Sequence, residues 1–307
     1  MFVIKEQIKY VQTLMTQLEF PEDAQQNLMR ALHCILENGK AAEAFSGIVG
    51  KYYETIDCPY TEMLNDAVAL GEKLGIHEYT ISLLMYLCMA EKLHSRYLEK
   101  GLPEQLYYDS IKDLLYKLNE CRMVYGVDGS FVAFWFAGFY NFTRFALGRL
   151  QFEIKVLKKE FSVGGVDFPP ESKTIATHIP LTGTKLHYED VLDSYKRAAE
   201  MFGDQFPSGN IVFTCHSWLF DPWNFTVLNP NSNIAKFCND FKVIATGNYE
   251  DYSQVWRIFN CQFTGDISKL PRDSSLRRAY AARMERGEPT AWGRGVFLYR
   301  DGKIYKD

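Results

Sequence analysis

The sequence carries little net charge for its length. Its 307 residues have a formal net charge of −4, with 34 lysines and arginines against 38 acidic residues. This balance argues against a general nucleic-acid-coating protein and against a polybasic membrane-binding protein. Since 47% of the residues are apolar and 23% are charged, we expect a folded globular protein. The length is sufficient for two domains, each with its own core.

Cysteine pairs of the kind that hold zinc or form a redox motif are absent from the sequence. The 7 cysteines never occur as a CxxC pair. Their odd number and their spacing favour reduced thiols in a cytoplasm over a disulfide framework, and we expect no metal site. The stretch MFVIKEQIKYVQTL mixes charges through its first turns, so we do not expect a signal peptide.

Long apolar runs are missing as well, with one exception. The segment FVAFWFAGFYNFTRFALG, residues 131–148, approaches the roughly 20 residues that cross a bilayer, but Asn141, Thr143 and Arg144 interrupt it. We therefore expect a buried or half-buried core helix, and no membrane partner. Its aromatic stripe either packs in the core or lines a pocket, and consists of Phe131, Phe134, Trp135, Phe142 and Phe145.

The first half of the chain has the periodicity of helices. Apolar residues recur at helical spacing near the start, and further helices are bounded by proline and glycine, as at Pro21, Gly39, Gly75 and Pro103. No fixed repeat period is present, so a helical bundle is expected rather than a solenoid.

The second half alternates between strand and helix patterns. In RLQFEIKV, apolar and polar residues alternate as in a half-buried strand. Later segments predict more strands, a helix that starts at Asp273 or Ser274 and ends at Gly287, and a terminal hairpin around Asp301 and Gly302. The fold class is therefore α+β: an all-helical bundle over residues 1–147, followed by an α/β domain with a mixed sheet over residues 148–307.

A strand, a glycine turn and a helix follow each other in TIATHIPLTGTKLHYEDVLDSYKRAAEMF, residues 174–202. A glycine there can adopt a positive φ and let a ligand approach the backbone. The amides of Thr184, Lys185, Leu186 and the first helical residues lie where the new helix leaves them unpaired and, with the helix dipole, could bind a diphosphate. The alternative is that Gly183 only turns the chain while acidic residues satisfy the helix start.

Several segments together resemble a known family. The pieces ALGRLQFE, THIPLTGTKL, HSWLFDP, LNPNSNIAKF and RGVFLY look like the GNAT-like C-terminal domain of bacterial acyltransferase domain-containing proteins, in which this domain follows an all-helical N-terminal domain. The resemblance covers essentially the whole chain and is specific as a combination. It implies transfer of an acyl group from acetyl-CoA or another acyl-CoA to a small-molecule amine, with the diphosphate at Gly183.

The turn departs from the usual GNAT motif. That motif is Gln or Arg, two residues, Gly, one residue, then Gly or Ala, but here Pro180 and Lys185 occupy the outer positions. The lysine could crowd the phosphates or contact them. This departure supports an alternative function, a non-catalytic GNAT-like protein that binds a ligand or regulates a partner.

Attack by an amine requires a proton acceptor. Deprotonating an amine with a pKa near 10.4 at neutral pH costs roughly 4 to 5 kcal/mol, so a general base is needed. His216, on a predicted strand, is the first candidate and His178 the second, with Glu153 and Asp221 as carboxylate alternatives. Either histidine could instead be a core residue with satisfied ring nitrogens.

Other residues are candidates for the acid and for phosphate contacts. GNAT enzymes often use a tyrosine on the helix after the second strand, but SNIAKFCNDF has none, so Tyr249 and Tyr252 are proposed instead. Residues 269–300 hold eight Lys or Arg and three acids, a net charge of +5, which suggests Arg277 and Arg278 as coenzyme contacts or a solvated helix face.

Two further expectations follow from the same residues. Cys215 is expected to be a buried thiol, because adjacent strand residues point to opposite faces and it cannot pair with His216. The basic stretch lacks an aromatic stacking pattern, so no nucleic-acid partner is expected. A homo-oligomer formed through the helical domain is compatible with either function.

Overall fold

The computed structural model describes residues 3–307. They form two compact units. The first comprises the chain up to Phe145 together with Leu181–Gly183, and the second comprises Ala146–Pro180 and Thr184–Asp307. The boundary of the first unit falls after Phe145, and Leu181–Gly183 is grouped with that unit. The division after residue 147 that the sequence suggests stays a prediction.

The first unit is helical. Short 3₁₀ turns lie at Ile4–Gln7 and Ala133–Phe136. Its α-helices are α1 (Ile8–Gln17), α2 (Glu22–Glu37), α3 (Gly39–Glu54), α4 (Tyr60–Leu74), α5 (Glu78–Glu99), α6 (Glu104–Ile111), α7 (Asp113–Tyr125) and α8 (Ala137–Tyr140).

Helix α5 is the centre of this unit. Every residue from Ile81 to Ala90 is buried, whereas the outer helices bury one apolar stripe. A helix that is apolar on all sides is stable only when other helices surround it. The predicted helix ends at Gly75 and Pro103 are confirmed, since Gly75 ends α4 with φ 68° and Pro103 precedes α6. Gly39 was expected to end α2, but it begins α3 after the Asn38 cap.

The prediction of a core helix over residues 131–148 is wrong. The segment contains a 3₁₀ turn, the four-residue α8 and the start of a strand. The Asn141 side chain accepts hydrogen bonds from the Thr143 amide (3.1 Å) and hydroxyl (2.7 Å), and Phe142 has φ 59°. These local bonds compete with the helix and end it. No helix among the described residues is long and apolar enough to cross a membrane.

The aromatic residues of this segment therefore share no single helix face. Phe145 is 5% exposed, whereas Phe134 is 67% exposed. The five aromatic residues therefore do not form the continuous stripe on one helix that the sequence suggested.

The second unit is built on a mixed sheet. The order of its strands is β1-β2-β5-β6-β8-β7, with β9 beside β8, and β3 and β4 form a separate hairpin. The strands are β1 (Arg144–Leu147), β2 (Leu150–Leu157), β3 (Phe161–Val163), β4 (Val166–Phe168), β5 (Ser172–His178), β6 (Ile211–Ser217), β7 (Lys242–Asn248), β8 (Ala291–Arg300) and β9 (Lys303–Tyr305).

Helices and 3₁₀ turns connect these strands. The helices are α9 (Tyr188–Phe202), α10 (Asn224–Val227), α11 (Asn233–Asn239), α12 (Trp256–Phe259) and α13 (Ser275–Glu285), and the 3₁₀ turns are Gly203–Gln205, Trp218–Phe220 and Ile267–Lys269. The cap of α13 at Ser274, the glycine after it at Gly287 and the hairpin at Asp301 and Gly302 confirm the predictions.

One parallel pair interrupts an otherwise antiparallel sheet. Strands β5 and β6 run parallel and are joined by α9, whereas the pairs β2–β5, β6–β8 and β7–β8 are antiparallel. A parallel pair needs a long crossover connection, which α9 supplies. The α+β prediction with a mixed sheet is thus confirmed.

The two faces of this sheet differ. On the face that α9 covers, the helix face, the ring of Tyr195 packs against Phe213 (5.3 Å between centroids) and Phe297 (4.8 Å). The opposite face, the polar face, carries Glu153 and His178 near the carboxyl end of β5. Residues paired across strands share a face, and so do alternate residues along a strand.

Strand β2, Leu150–Leu157, lies within one residue of the segment RLQFEIKV that predicted it, but its exposure differs from the prediction. Gln151 and Glu153 were expected to face solvent, yet they are 2% and 4% exposed, while Val156 is 44% exposed. The first half of β2 is covered on both faces, so alternation there does not separate the core from solvent.

A helical lobe, residues 249–290, is inserted between β7 and β8. It has its own apolar cluster, in which Tyr280 and Phe259 are buried and against which Trp218 and Trp223 pack. The lobe is attached to the sheet through a buried ion pair between Arg283 and Asp221, 2.5 Å between Nη1 and Oδ2.

Candidate active site

Strands β5 and β6 separate at their carboxyl ends. Only two residue pairs join them, Ile175 with Phe213 and Ala176 with Thr214. Strand β5 nevertheless continues to His178 and β6 to Ser217. From these unpaired ends we infer an opening between two parallel strands, at the place where open α/β sheets bind ligands.

Two histidines flank this opening. His178 lies two residues beyond Ala176 on β5, and His216 lies two residues beyond Thr214 on β6. Because Ala176 and Thr214 are register partners, both histidines belong to the polar face. The structure thus brings together the two residues that the sequence proposed as bases.

His178 is held by a buried carboxylate. Its Nε2 lies 3.0 Å from Oε1 of Glu153, while Oε2 of Glu153 lies 3.2 Å from the Lys155 ammonium. Glu153 is only 4% exposed. A histidine that bonds a carboxylate through one ring nitrogen is fixed in orientation and tautomer.

His216 has a different environment. Its ring stands edge-on to Trp292, 4.6 Å between centroids, and its register partner on β8 is Arg294. Partial burial lowers the pKa of His216 below its ordinary value of 6.5, and the positive charge of Arg294 lowers it further. Both effects favour the neutral form of the ring, and His216 is exposed to solvent.

The turn at Gly183 has the predicted backbone conformation. Gly183 has φ 79°, and a Cβ there would meet no atom within 4 Å. Helix α9 begins only at Tyr188, with His187 at its N-cap. Thr184, Lys185 and Leu186 therefore precede the helix, and their part in a diphosphate site stays a prediction.

The amides without a partner inside α9 belong to its first turn. They are those of Tyr188, Glu189 and Asp190, since the first intrahelical bond runs from Val191 to the His187 carbonyl (3.2 Å). The two acidic side chains already interact favourably with the helix dipole. A phosphate near this turn would also meet their negative charge.

The start of β2 is fixed against α9. The Arg149 amide donates to Ser194 Oγ (2.8 Å), and its guanidinium donates to the Pro180 carbonyl (3.1 Å). Gly148 has φ 73°, and a Cβ there would lie 2.8 Å from Ser194 Oγ. Glycine is required for this close approach, which holds the loop before α9.

The remaining predicted residues lie in or near the helical lobe. The Tyr252 hydroxyl donates to the Glu288 carbonyl (3.0 Å), and the Tyr249 amide donates to the Thr290 carbonyl (2.8 Å). Burial raises the pKa of the half-buried Tyr249 phenol. No structural contact joins either tyrosine to the histidines among the described residues, so their role as acids stays a prediction.

Arg277 and Arg278 have partners inside the lobe. Arg277 donates to both oxygens of Asp273 (2.9 Å) and to the Ile258 carbonyl (3.0 Å). Arg278 donates to the Arg272 carbonyl (2.8 Å). These bonds support the lobe, and coenzyme binding by either residue stays a prediction.

Two further candidates have structural environments. Cys215 is buried on the helix face, as predicted, and burial raises the pKa of its thiol. Asp221 accepts hydrogen bonds from Arg283, from the Ala291 amide (3.0 Å) and from the Trp223 amide (3.0 Å). A carboxylate with these three donors is a structural anion rather than a base.

Sequence reasoning missed Trp292 and Arg294 as site residues. The register between β6 and β8 places them beside His216, and no local pattern reveals this register. The segment RGVFLY drew attention to this part of the chain, but it did not single out either side chain. Among residues 3–307, no cluster of His, Cys, Asp or Glu is arranged to hold a metal ion.

A parallel pair that opens at its carboxyl ends, inside a mixed sheet and beside a crossover helix, defines the GNAT-like class of folds. Residues 145–297 match the model of the GNAT-like C-terminal domain, and residues 9–142 match that of the N-acyltransferase N-terminal domain. The chain belongs to the family of acyltransferases in which these two domains follow one another.

Solved structures of similar fold are also acyltransferases. An acyltransferase mutant in complex with octanoyl-CoA is 20% identical with a TM-score of 0.72, and the match covers 94% of this chain and 87% of that one. An acyltransferase in complex with decanoyl-CoA and teicoplanin is 20% identical, with a TM-score of 0.66 over 92% and 86% of the two chains. None of the curated proteins compared with the chain matches it in sequence.

Proposed function

We propose that this protein transfers an acyl group from an acyl-CoA thioester to the amine of a small acceptor. The observation that carries the proposal is the opening between β5 and β6, flanked on one face by His178 and His216. Membership of the two-domain acyltransferase family supports it. The octanoyl-CoA and decanoyl-CoA complexes of structures with this fold support a coenzyme A thioester as donor.

The acyl-CoA substrate fits the geometry of the second unit. Its thioester would enter the opening, and its diphosphate would lie at the turn before α9. Gly183 leaves open space there, and the exposed Lys185 supplies a positive charge. The proposed contacts remain Gly183, Thr184, Lys185 and Leu186, now joined by the first-turn amides of α9.

His178 is the proposed base. It accepts a proton from the acceptor ammonium, and the neutral amine then attacks the thioester carbonyl. A C–N bond forms, the C–S bond breaks, and the proton that the acylated nitrogen loses goes to the departing thiolate of coenzyme A. Glu153 fixes the His178 ring and stabilises its protonated form, as a buried carboxylate does for a catalytic histidine. His216, whose lowered pKa favours the neutral form, is the alternative base.

Calorimetry with octanoyl-CoA and a thiol-release assay with a panel of amines test the proposal. The wild type should bind the thioester and release thiol when an acceptor is present. Gly183→Trp should abolish binding, because the side chain would fill the turn. The matched control is Gly209→Trp, since Gly209 also has a positive φ (72°) and no atom within 4 Å of a Cβ.

Failure of binding in the wild type, or equal loss in both tryptophan variants, would contradict the proposed diphosphate site. A melting curve of each variant checks that the strained backbone at these positions is tolerated.

A non-catalytic ligand-binding or regulatory protein is the second candidate. Glu189 and Asp190 in the first turn of α9 favour it, because their negative charges oppose a diphosphate. It predicts binding of a ligand without thiol release for any acyl length or amine.

Several finer expectations stay predictions. The free state of all seven cysteines supports a reducing compartment such as the cytoplasm. Acetyl-CoA as the particular donor, a bacterial source and a homo-oligomer are untested expectations from the sequence.

A further inference from the structure

Arg294 differs from the other arginines of residues 146–307. Each of those has a partner on the protein: a carboxylate, a carbonyl or amide oxygen, or an aromatic ring. Arg294 is half-buried, and within the described chain its side chain forms no hydrogen bond, ion pair or ring contact. Partial burial of a cation without a counter-charge costs free energy, which an anionic ligand would offset.

The backbone at Arg294 is held rigidly. Glycines flank it on both sides in the sequence. A Cβ at Gly293 would lie 2.5 Å from the Phe220 carbonyl oxygen, and one at Gly295 would lie 2.6 Å from the Cβ of Phe241. Residues on the helix face thus press directly against β8. The close packing at Gly293 and Gly295 on the helix face supports the backbone of Arg294. Such support suits a residue that binds a ligand in a defined orientation.

The neighbours of Arg294 belong to the candidate active site. Its register partner is His216, and Trp292 lies two residues away on the same strand and face. The Trp292 ring contacts His216 at 4.6 Å. An anion on Arg294 would therefore lie beside a histidine at the opening and beside an aromatic surface.

The position of Arg294 on the polar face indicates that the anion belongs to the acceptor rather than to the coenzyme. The proposed diphosphate site is at the start of α9, and α9 covers the helix face. Arg294 belongs to the opposite face. A substrate that reaches the thioester from the polar face would approach the face on which Arg294 and His216 lie.

We propose that Arg294 binds a carboxylate of the acceptor, so that the acceptors of this enzyme are amines that also carry a carboxylate, such as amino acids. This inference rests on the proposed acyl transfer. The planar guanidinium can form two parallel hydrogen bonds with a carboxylate. The Trp292 ring offers an apolar surface for the carbon skeleton between the two groups.

Direct binding of amino acids, followed by Trp fluorescence and calorimetry without coenzyme, tests the inference. Each amino acid of the panel is compared with its own amide, which keeps the amine and removes the carboxylate. In the wild type, at least one acid should bind about tenfold or more tightly than its amide. Arg294→Gln should remove this preference, and Arg294→Lys should retain part of it.

Arg300→Gln is the matched control. Arg300 lies on the same strand and the same face at its other end, where it contacts only the Tyr305 ring. This variant removes the same charge and should keep the preference. A melting curve confirms that Arg294→Gln is folded. No preference for any acid in the wild type, or an unchanged preference in Arg294→Gln, overturns the inference.

Octanoyl-CoA binding, measured separately, distinguishes the two proposals. If acids bind through Arg294 but no thioester binds, the carboxylate site stands and the acyl transfer fails. If thioester binds and thiol is released with amides as readily as with acids, the transfer stands and the carboxylate site fails. A tenfold or greater loss of octanoyl-CoA affinity in Arg294→Gln would assign the arginine to the coenzyme and overturn the inference.

Discussion

The two faces of the sheet obey different physical requirements. On the helix face, aromatic rings fill the space under α9, and Phe213 and Phe297 stack 4.8 Å apart. The polar face is different near the carboxyl ends of β5 and β6. There, Glu153 on β2, His178 on β5 and Arg294 on β8 face away from α9. Strand alternation places both sets on one backbone, so the apolar set can stabilise the fold while the polar set remains available for chemistry.

Removing a ring from the helix face should have the largest effect on stability. Phe213 is 0% exposed and contacts rings on α9, β2 and β8. Phe213→Ala should lower the free energy of unfolding by about 3–5 kcal/mol, because it leaves a cavity. Urea unfolding followed by circular dichroism measures this. His216→Ala, on the other face, is the comparison and should change stability by less than about 1 kcal/mol.

Glu153→Gln should lower activity more than other substitutions on the polar face that leave stability unchanged. The amide keeps the shape of the side chain but cannot stabilise a protonated His178. We expect kcat to fall at least about tenfold with little change in KM. A pH profile separates this role from a structural one, since the acidic limb should move when the carboxylate is removed. An unchanged pH profile would indicate that Glu153 acts only in the fold.

Asp240 is an ionisable exception among the groups beneath α9. Burial raises its pKa to about 6, although hydroxyls of Tyr188 (2.6 Å) and Tyr195 (3.4 Å) donate to it. Since the ordinary value is 3.8, its contribution to stability is complete below pH 3.8 and is lost as pH rises through 6.

Asp240→Asn should therefore stabilise the protein at pH 8 by about 1–3 kcal/mol, from the free energy of a pKa shift of this size. At pH 4 the variant and the wild type should unfold alike. Thermal unfolding at both pH values tests this. Equal effects at the two pH values would show that charge burial is not the cause.

The smallest predicted effect is a shift in the titration of His216. Arg294 lowers the pKa of His216, so Arg294→Gln should raise that pKa towards 6.5. Proton NMR of the imidazole C–H signals would measure it. Arg300→Gln should leave the titration unchanged.

Local patterns predicted much of the fold. Proline and glycine positions located helix ends such as Gly75, and alternation located β2 to within one residue. The helix over residues 131–148 failed because composition outweighed one local competitor, the Asn141 side chain. Likewise, Gln151 and Glu153 look like solvent-facing residues in the sequence, because alternation cannot reveal that both faces of a strand are covered.

The candidate site was predictable only in part. Both histidines were found, since each ends a predicted strand beside a turn. The Glu153 partner of His178 and the Arg294 partner of His216 depend on strand register across long sequence separations. Register is a tertiary property that local sequence does not reveal. The sequence therefore favoured Arg277 and Arg278, whose side chains bond other residues of the helical lobe.

Single-turnover thiol release from octanoyl-CoA, compared between the wild type and His178→Asn, tests the central claim most directly. We expect thiol release to be about 10²- to 10⁴-fold slower in the variant, as for loss of a general base, with the affinity for octanoyl-CoA unchanged. An equal rate in the two proteins at saturating acceptor would contradict it.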